Sequence, residues 1–264
     1  NRFYNKNPKG YEFFGFFVGY RGTPFYIGGW IMEKVAKGYV IEDSKVKILF
    51  TNRTVDAKNS DDVKRVCEEY NFNYTNLMYN TQVHGAAVRI IKTMDDKENN
   101  DEEADGLLTS LKNVPLLIFT ADCVPLVFYD SEKGVVGLAH AGWRGTYDNI
   151  AEEIVEILIK DYKCIKENIK VIIGPSVSGD NYEVSYGLVE KFSVHNIDNY
   201  YKKCGEKYYL DLWTINRELL KRAGILDKNI MVTNFCTVKD NNQFFSYRLD
   251  NATTKRIGTF IQLK

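Results

Sequence analysis

The stretch Val114-Pro115-Leu116-Leu117-Ile118-Phe119-Thr120-Ala121-Asp122-Cys123-Val124-Pro125-Leu126-Val127-Phe128-Tyr129 holds two near-continuous apolar runs joined by a short polar turn. A strand exposed on one face alternates apolar and polar residues, whereas these runs suit strands covered on both faces. Val114 to Phe119 and Pro125 to Tyr129 are therefore expected at the centre of the sheet.

Downstream, Gly134 to His140 predicts another strand and Gly142 to Gly145 a turn. Ile150, Ile154, Ile157 and Leu158 then recur at helical spacing to about Tyr162. Val171 to Ile173 is a strand ended by Gly174-Pro175, Leu188 to Phe192 is helical, and Leu212 to Ala223 is a helix stopped by Gly224. The last strands expected are Ile230 to Phe235, Phe244 to Arg248 and Ile257 to Leu263. Upstream, strands are expected at Leu77 to Gln82 and Ala86 to Ile91, followed by a solvated, mobile acidic loop from Asp95 to Asp105. Asp61 to Tyr70 reads as a helix, and Tyr11 to Tyr20, Phe25 to Trp30 and Val46 to Phe50 read as strands. No repeat or linker interrupts residues 1–264. The class is α+β, with mixed β-sheets flanked by helices in one domain.

Equal numbers of acidic and basic residues, 35 each, remove the electrostatic reason to expect nucleic acid or an anionic membrane as partner. No apolar run reaches the ~18 residues of a membrane span. The first eleven residues are polar and tyrosine-rich and lack a signal peptide's apolar core, so a cytoplasmic protein is expected, with no obligate protein partner. Five scattered cysteines without a CxxC pair argue for reduced thiols. Cys67 is placed in a helix, Cys164 and Cys204 in polar loops, and Cys236 at the end of an apolar run.

The chain has only three histidines. Two of them, His84 and His140, sit with Cys123 beside glycine or proline turns at the ends of apolar runs. Thiolate sulfur and imidazole nitrogen are ligands that zinc prefers, and three protein ligands leave the open position of a catalytic site. The bland alternative is a buried apolar cysteine and two strand-capping histidines. Asp122 tips the balance, because an ionisable group inside an apolar stretch is costly without a cation or a proton-transfer role. Gly142-Trp143-Arg144-Gly145 offers backbone N–H groups and a guanidinium suited to an anion.

Three motifs, Gln82-Val83-His84-Gly85, Thr120-Ala121-Asp122-Cys123-Val124-Pro125 and His140-Ala141-Gly142-Trp143-Arg144-Gly145, resemble the signature of the YfiH family of laccase-domain or purine nucleoside phosphorylase proteins. The resemblance continues through Ile173-Gly174-Pro175-Ser176, Tyr182-Glu183-Val184, Leu210-Asp211-Leu212, Cys236-Thr237 and Phe244-Phe245-Ser246-Tyr247-Arg248, a motif-bearing part spanning residues 77–264. Residues 1–76 diverge. Phe50-Thr51-Asn52-Arg53 is similar to an early arginine motif, but Thr54-Val55-Asp56 replaces the paired glycines and serine that follow it, and the next stretch is shortened.

The resemblance implies a fold similar to that of a glutamine-deamidating toxin domain of the cytotoxic-necrotizing-factor type. It implies zinc on His84, Cys123 and His140, catalysis by Asp122, Cys123 and His140, and substrate contacts at Arg53, Gln82, Arg144, Tyr247 and Arg248. The activity implied is phosphorolysis of adenosine, inosine and methylthioadenosine, with some adenosine deamination. Copper is a possible ion, but a multicopper site needs more histidines than the single one left over, His195, which reads as a solvated surface residue. The rival reading is a metal-free hydrolase with Cys123 as nucleophile and His140 as base, acting for example on peptidoglycan precursors.

Overall fold

A computed structural model describes residues 23–27 and 30–264, so the strand expected at 11–20 lies outside the described residues. In chain order the first elements are β1 (Thr23–Ile27), β2 (Trp30–Val35), β3 (Gly38–Glu42), β4 (Val46–Thr51) and helix α1 (Ser60–Glu69). Then come β5 (Val88–Ile91), β6 (Gly106–Thr109), β7 (Leu116–Thr120), β8 (Val124–Asp130) and β9 (Val135–Ala141). Helices α2 (Trp143–Tyr147) and α3 (Ile150–Lys160) lead to β10 (Lys170–Ile173), β11 (Glu183–Val184) and α4 (Tyr186–Phe192). The chain finishes with β12 (Tyr201–Cys204), β13 (Lys207–Leu210), α5 (Leu212–Arg222), β14 (Ile230–Val232) and β15 (Ile257–Leu263).

Two six-stranded sheets, β1-β2-β3-β4-β15-β7 and β14-β10-β8-β9-β6-β5, carry the fold, with a small third sheet β11-β13-β12. The strand pairs of the first sheet are all antiparallel. The second sheet is mixed, because β10 with β14 and β5 with β6 run parallel.

Side-chain alternation sorts the apolar residues into layers. Ile48 and Phe50 of β4, Leu116 and Ile118 of β7, and Val127 and Tyr129 of β8 meet between the two large sheets. On the far side of the first sheet, Leu49, Leu117, Phe119 and Phe260 pack on Val63, Val66 and Cys67 of α1. Beyond the second, Leu126, Phe128 and Ala139 pack on Ile154, Leu158, Ile215 and Leu219 of α3 and α5. The order of layers is helix, sheet, sheet, helices, in one domain.

This arrangement corrects the sequence expectation that both apolar runs mark the sheet centre. β7 is an edge strand of the first sheet and β8 an inner strand of the second. β7 is apolar throughout because α1 covers one face and the second sheet the other. Leu77 to Gln82 forms no strand; Met78 and Thr81 make only isolated bridges. Phe244 to Arg248 is a turn instead of a strand, because Asp250 accepts the Ser246 N–H at 2.9 Å and draws the segment back on itself. The acidic stretch is ordered too: Met94–Asn99 is a 3₁₀ helix closed by a capping box between Thr93 and Asp96. β2, β3, β6, β11, β12 and β13 were not foreseen as strands; Cys204 lies in β12, and Cys164 is buried in the core. His195 is half-buried, 5.4 Å from the Tyr147 ring and 5.8 Å from Phe192, with its Nε2 shielded from solvent. No described helix is long and apolar enough to cross a membrane.

Candidate metal centre

The site forms where the second sheet ends. β8 and β9 are antiparallel with Pro125 opposite His140, so the start of one strand meets the end of the other. His140 has the parity of Val136 and Leu138, which places its ring on the side that faces the first sheet. Asp122, just before β8, has φ +82°. That break in strand geometry answers how Asp122 and Cys123, neighbours in sequence, both serve one region.

His84, Cys123 and His140 converge: one ligand atom from each lies within 4.8 Å of the others. The imidazole rings of His84 and His140 meet edge-on with centroids 4.7 Å apart. Ligand atoms around a tetrahedral zinc stand roughly 3.5 Å from one another, so a modest contraction of side chains closes the set. His140 is buried, Cys123 half-buried and His84 exposed, which leaves the open side towards solvent. Gly142 comes close to two of the three. A Cβ on it would lie 3.0 Å from Cys123 Sγ and 3.3 Å from His84 Cδ2, a tighter contact than side chains ordinarily make, so a larger residue would press on both.

Asp105 organises two of the three converging residues, and sequence reasoning missed it. It precedes β6, whose Gly106 pairs with Ala139 of β9, and this register sets the His140 N–H on the Asp105 carbonyl at 2.8 Å. Its carboxylate Oδ1 lies 2.7 Å from His140 Nδ1, leaving Nε2 for Cys123 and a metal. The same carboxylate accepts the N–H groups of Val83 at 3.2 Å, His84 at 3.0 Å and Gly85 at 2.6 Å. These bonds hold His84 in the left-handed region at φ +62°. The only signal in the sequence was Asp105's place at the junction of an acidic stretch with the apolar run Gly106-Leu107-Leu108.

The electrostatics are those of a thiolate with its cations. Burial alone would raise the Cys123 thiol, but the charge and hydrogen bonds of His140, and then of His84, outweigh it and hold the pKa at about 6. For His140 burial pulls downward, and Cys123 with Asp105 push the imidazole up to about 9. Burial would raise Asp105 too, yet its bonds to His140 and Gly85 keep the carboxyl below the usual range. A soft thiolate, two imidazoles and a carboxylate behind one of them fit a zinc-type ion well.

The other predicted residues are placed differently. Asp122 is buried, with Oδ1 accepting the Thr237 hydroxyl at 2.6 Å and Oδ2 the Arg248 N–H at 2.8 Å. It ties the 237–248 segment to the metal centre. The Arg248 guanidinium donates to the Glu183 carbonyl at 2.8 Å and lies 4.5 Å over the Tyr182 ring. Tyr182 also escaped the sequence reading as a site residue; burial, then the charge of Cys123, push its phenol up to about 12. Gln82 spends both amide ends on the backbone of Phe119, at 2.8 and 2.7 Å. Arg53 pairs with Asp250 at 3.3 Å and lies over Phe245. Arg144 is exposed on α2, 4.5 Å over its neighbour Trp143, and Tyr247 is exposed. α2 is a single short turn, so the expected anion site at its start reduces to the exposed Arg144 side chain.

A layered α+β protein with an open His-Cys-His centre is the class that fold and site define. The chain belongs to the family described as multi-copper polyphenol oxidoreductase laccase, whose pattern matches residues 52–264. A purine nucleoside phosphorylase of Staphylococcus epidermidis is 39% identical over 163 residues, 61% of this chain and 60% of that protein's length. YlmD of Bacillus subtilis, also named a purine nucleoside phosphorylase, is 32% identical over 230 residues, 82% of each chain. Among solved structures, YlmD from Geobacillus stearothermophilus superposes with a TM-score of 0.81 at 27% identity, over 89% of this chain and 99% of that one. The hypothetical protein YfiH of Bacillus licheniformis gives 0.80 at 27% identity, over 86% and 97%.

Proposed function

We propose that this chain is a zinc-dependent purine nucleoside phosphorylase of the cytoplasm, acting on adenosine, inosine and methylthioadenosine, with adenosine deamination as a side activity. The observation that carries the reading is the convergence of His84, Cys123 and His140 within 4.8 Å, with Asp105 fixing the two histidines from behind. The relatives named purine nucleoside phosphorylases support the choice of substrate.

When bound, zinc supplies a Lewis acid that polarises a substrate or phosphate oxygen. In phosphorolysis a phosphate oxygen bonds to the anomeric carbon of ribose as the bond to the purine nitrogen breaks, and the departing base takes up a proton. Tyr182, under the Arg248 guanidinium, keeps its phenolic proton at neutral pH and is a candidate donor to the departing base. Asp122 has both oxygens engaged and holds Thr237 and Arg248 in place instead of shuttling the proton. Arg144 and Arg248 supply positive charge, as their motif positions imply. The test is elemental analysis of the purified protein beside a phosphate-dependent assay with adenosine. About one zinc per chain, together with adenine released only when phosphate is present, is expected. Cys123→Ala should lose both the metal and the activity, and full turnover by a metal-free variant would overturn the reading.

One observation favours a second reading, a Cys-His hydrolase acting on peptidoglycan precursors. Cys123, His140 and Asp105 also have the order of nucleophile, base and orienting carboxylate. His84 separates the two, because a dyad has no use for a second imidazole at the thiol.

A further inference from the structure

The chain leaves β4 through a turn that holds one side chain still. Asn52 donates its N–H to the Lys37 carbonyl at 2.8 Å and its Nδ2 to the Ala36 carbonyl at 3.0 Å. Its Oδ1 accepts the Thr54 N–H at 3.0 Å, and the Val55 N–H closes the turn on its carbonyl at 3.1 Å. Arg53, inside this turn, is committed to a segment that begins 188 residues further on, at Asn241. Its N–H donates to the Gln243 carbonyl at 2.7 Å. Nη1 donates to the Asn241 carbonyl and, at 3.1 Å, to Asn241 Oδ1. Nη2 pairs with Asp250 Oδ1 at 3.3 Å, and the guanidinium lies 5.4 Å over the Phe245 ring.

Asp250 passes this hold on to the turn beside it. Its Oδ1 and Oδ2 accept the Asn241 amide at 3.2 and 3.1 Å, and Oδ2 also accepts the Ser246 N–H at 2.9 Å. Burial would raise its carboxyl, but the Ser246 N–H, the Asn241 amide and then Arg53 keep it below the usual range, so it is an anion at neutral pH. The Asp250 N–H returns to the Ser246 carbonyl at 2.9 Å, and the Leu249 N–H to Ser246 Oγ at 3.1 Å. Residues 246–250 are thereby a closed unit gripped from two sides. Arg53 holds it through Asp250, and Asp122, the residue before Cys123, takes the Arg248 N–H on Oδ2 at 2.8 Å.

We propose that Arg53 is a positioning residue: through Asp250 it sets the 246–250 turn that presents Tyr247 and Arg248 to the nucleoside beside the metal centre. On the phosphorylase reading above, on which this assignment rests, Arg53 serves the substrate without touching it, in place of the direct contact its motif implies. A substrate anion at this guanidinium would compete with the Asp250 carboxylate already seated there. The two side chains are 33% and 18% exposed, and ion pairs of that kind add little to global stability, so the loss of this one is read locally.

The test uses the full metal-loaded chain. Arg53→Met keeps the stem over Phe245, Arg53→Lys keeps a cation for Asp250, and Asp250→Asn removes the partner; the double variant Arg53→Met/Asp250→Asn completes the cycle. Arg53→Gln repeats the comparison if Arg53→Met does not fold. Adenosine binding is measured by calorimetry, initial rates against adenosine, bound zinc by elemental analysis, and amide hydrogen exchange over residues 244–252.

Arg53→Met is expected to raise the adenosine Kd and KM about fivefold or more, with kcat and bound zinc within about twofold of the parent, and to speed exchange at Ser246 and Arg248. Asp250→Asn should do the same, Arg53→Lys should recover most of the binding, and the double variant should be no worse than the more severe single. Single effects that multiply in the double variant, or weaker binding with exchange unchanged, would mean that Arg53 meets the substrate itself and would overturn the assignment. So would adenosine binding unchanged in Arg53→Met, or a fall in kcat at unchanged KM, the sign of a smaller folded fraction. Arg53-dependent adenosine binding in a chain that performs no phosphorolysis would sustain the positioning role and refute the phosphorylase reading.

Discussion

Replacing Asp105 with asparagine should damage the metal centre and the fold together, and the size of the effect follows from its four contacts. Oδ1 serves the His84 N–H and His140 Nδ1, and Oδ2 serves the N–H groups of Val83 and Gly85. An asparagine side chain keeps one acceptor and turns the other into a donor, so in either orientation two of the four donors face an NH₂ group. Each buried donor left unsatisfied costs about 1–3 kcal/mol, which gives a loss of about 2–6 kcal/mol. The lost charge also releases His140 from its fixed tautomer, and removing such a partner typically weakens metal binding about 10- to 100-fold. Denaturant unfolding of the metal-free protein reads the first effect, and competition with a chromophoric chelator reads the second. If Asp105→Asn stays within about 0.5 kcal/mol of the parent and binds zinc within about threefold of it, the organising role given to this carboxylate is wrong.

Three further outcomes are expected. His84→Ala should reduce bound zinc to a small fraction of the parent's and abolish phosphorolysis, measured by elemental analysis and adenine release; retained activity would favour the Cys-His hydrolase. Gly142→Ala places a methyl group 3.0 Å from Cys123 Sγ and should cost about 1–3 kcal/mol of stability by overpacking, with weaker zinc binding, and an unchanged unfolding midpoint would count against the close approach described. Cys67 is a thiol pushed up to about 12, by burial and then by Glu68, from an unfolded value near 9. The unfolded chain therefore releases this proton first, and stability should fall by about 1.4 kcal/mol per pH unit on its account between about pH 9 and 12. Cys67→Ala should show a shallower alkaline decline in urea unfolding, and an identical slope would refute the assignment.

The three residues that converge, His84, Cys123 and His140, were legible because each carries a local mark, a histidine or cysteine next to a glycine or proline turn at the end of an apolar run. Asp105 carries no such mark. It follows Asp101, Glu102 and Glu103, and only the pairing of β6 with β9, a contact between residues 35 apart, turns the last acid of a solvated stretch into a buried anchor. Helices α1, α3 and α5 were readable from their periodicity, since each buries one face on a sheet. The strand order was not. Apolar coverage on both faces reports only that a strand is covered, and in β7 the cover comes from α1 and the opposite sheet. The Leu77–Gln82 segment has strand-like composition, yet the Gln82 side chain pairs with Phe119 in the way a strand backbone would, and no ladder forms.

The placement of Asp105 also bears on how the centre assembles. His140 sits on a strand end inside a sheet, and Cys123 on the turn into the neighbouring strand, so the pairing of β8 with β9 brings these two together as part of forming the core. His84 has no such scaffold: it lies in an irregular segment, exposed, in a left-handed conformation held by hydrogen bonds to one carboxylate. Two members of the candidate centre are thus set by the fold and the third by Asp105. A metal ion that draws in His84 stabilises the 82–85 segment against the sheet through linkage, by the free energy of its own binding. The stabilisation gained on adding zinc should accordingly shrink in Asp105→Asn and in His84→Ala alike, although only the second removes a ligand. Equal zinc-induced shifts in the parent and Asp105→Asn would mean that His84 reaches the ion without the carboxylate, and that the coupling argued from these hydrogen bonds is absent.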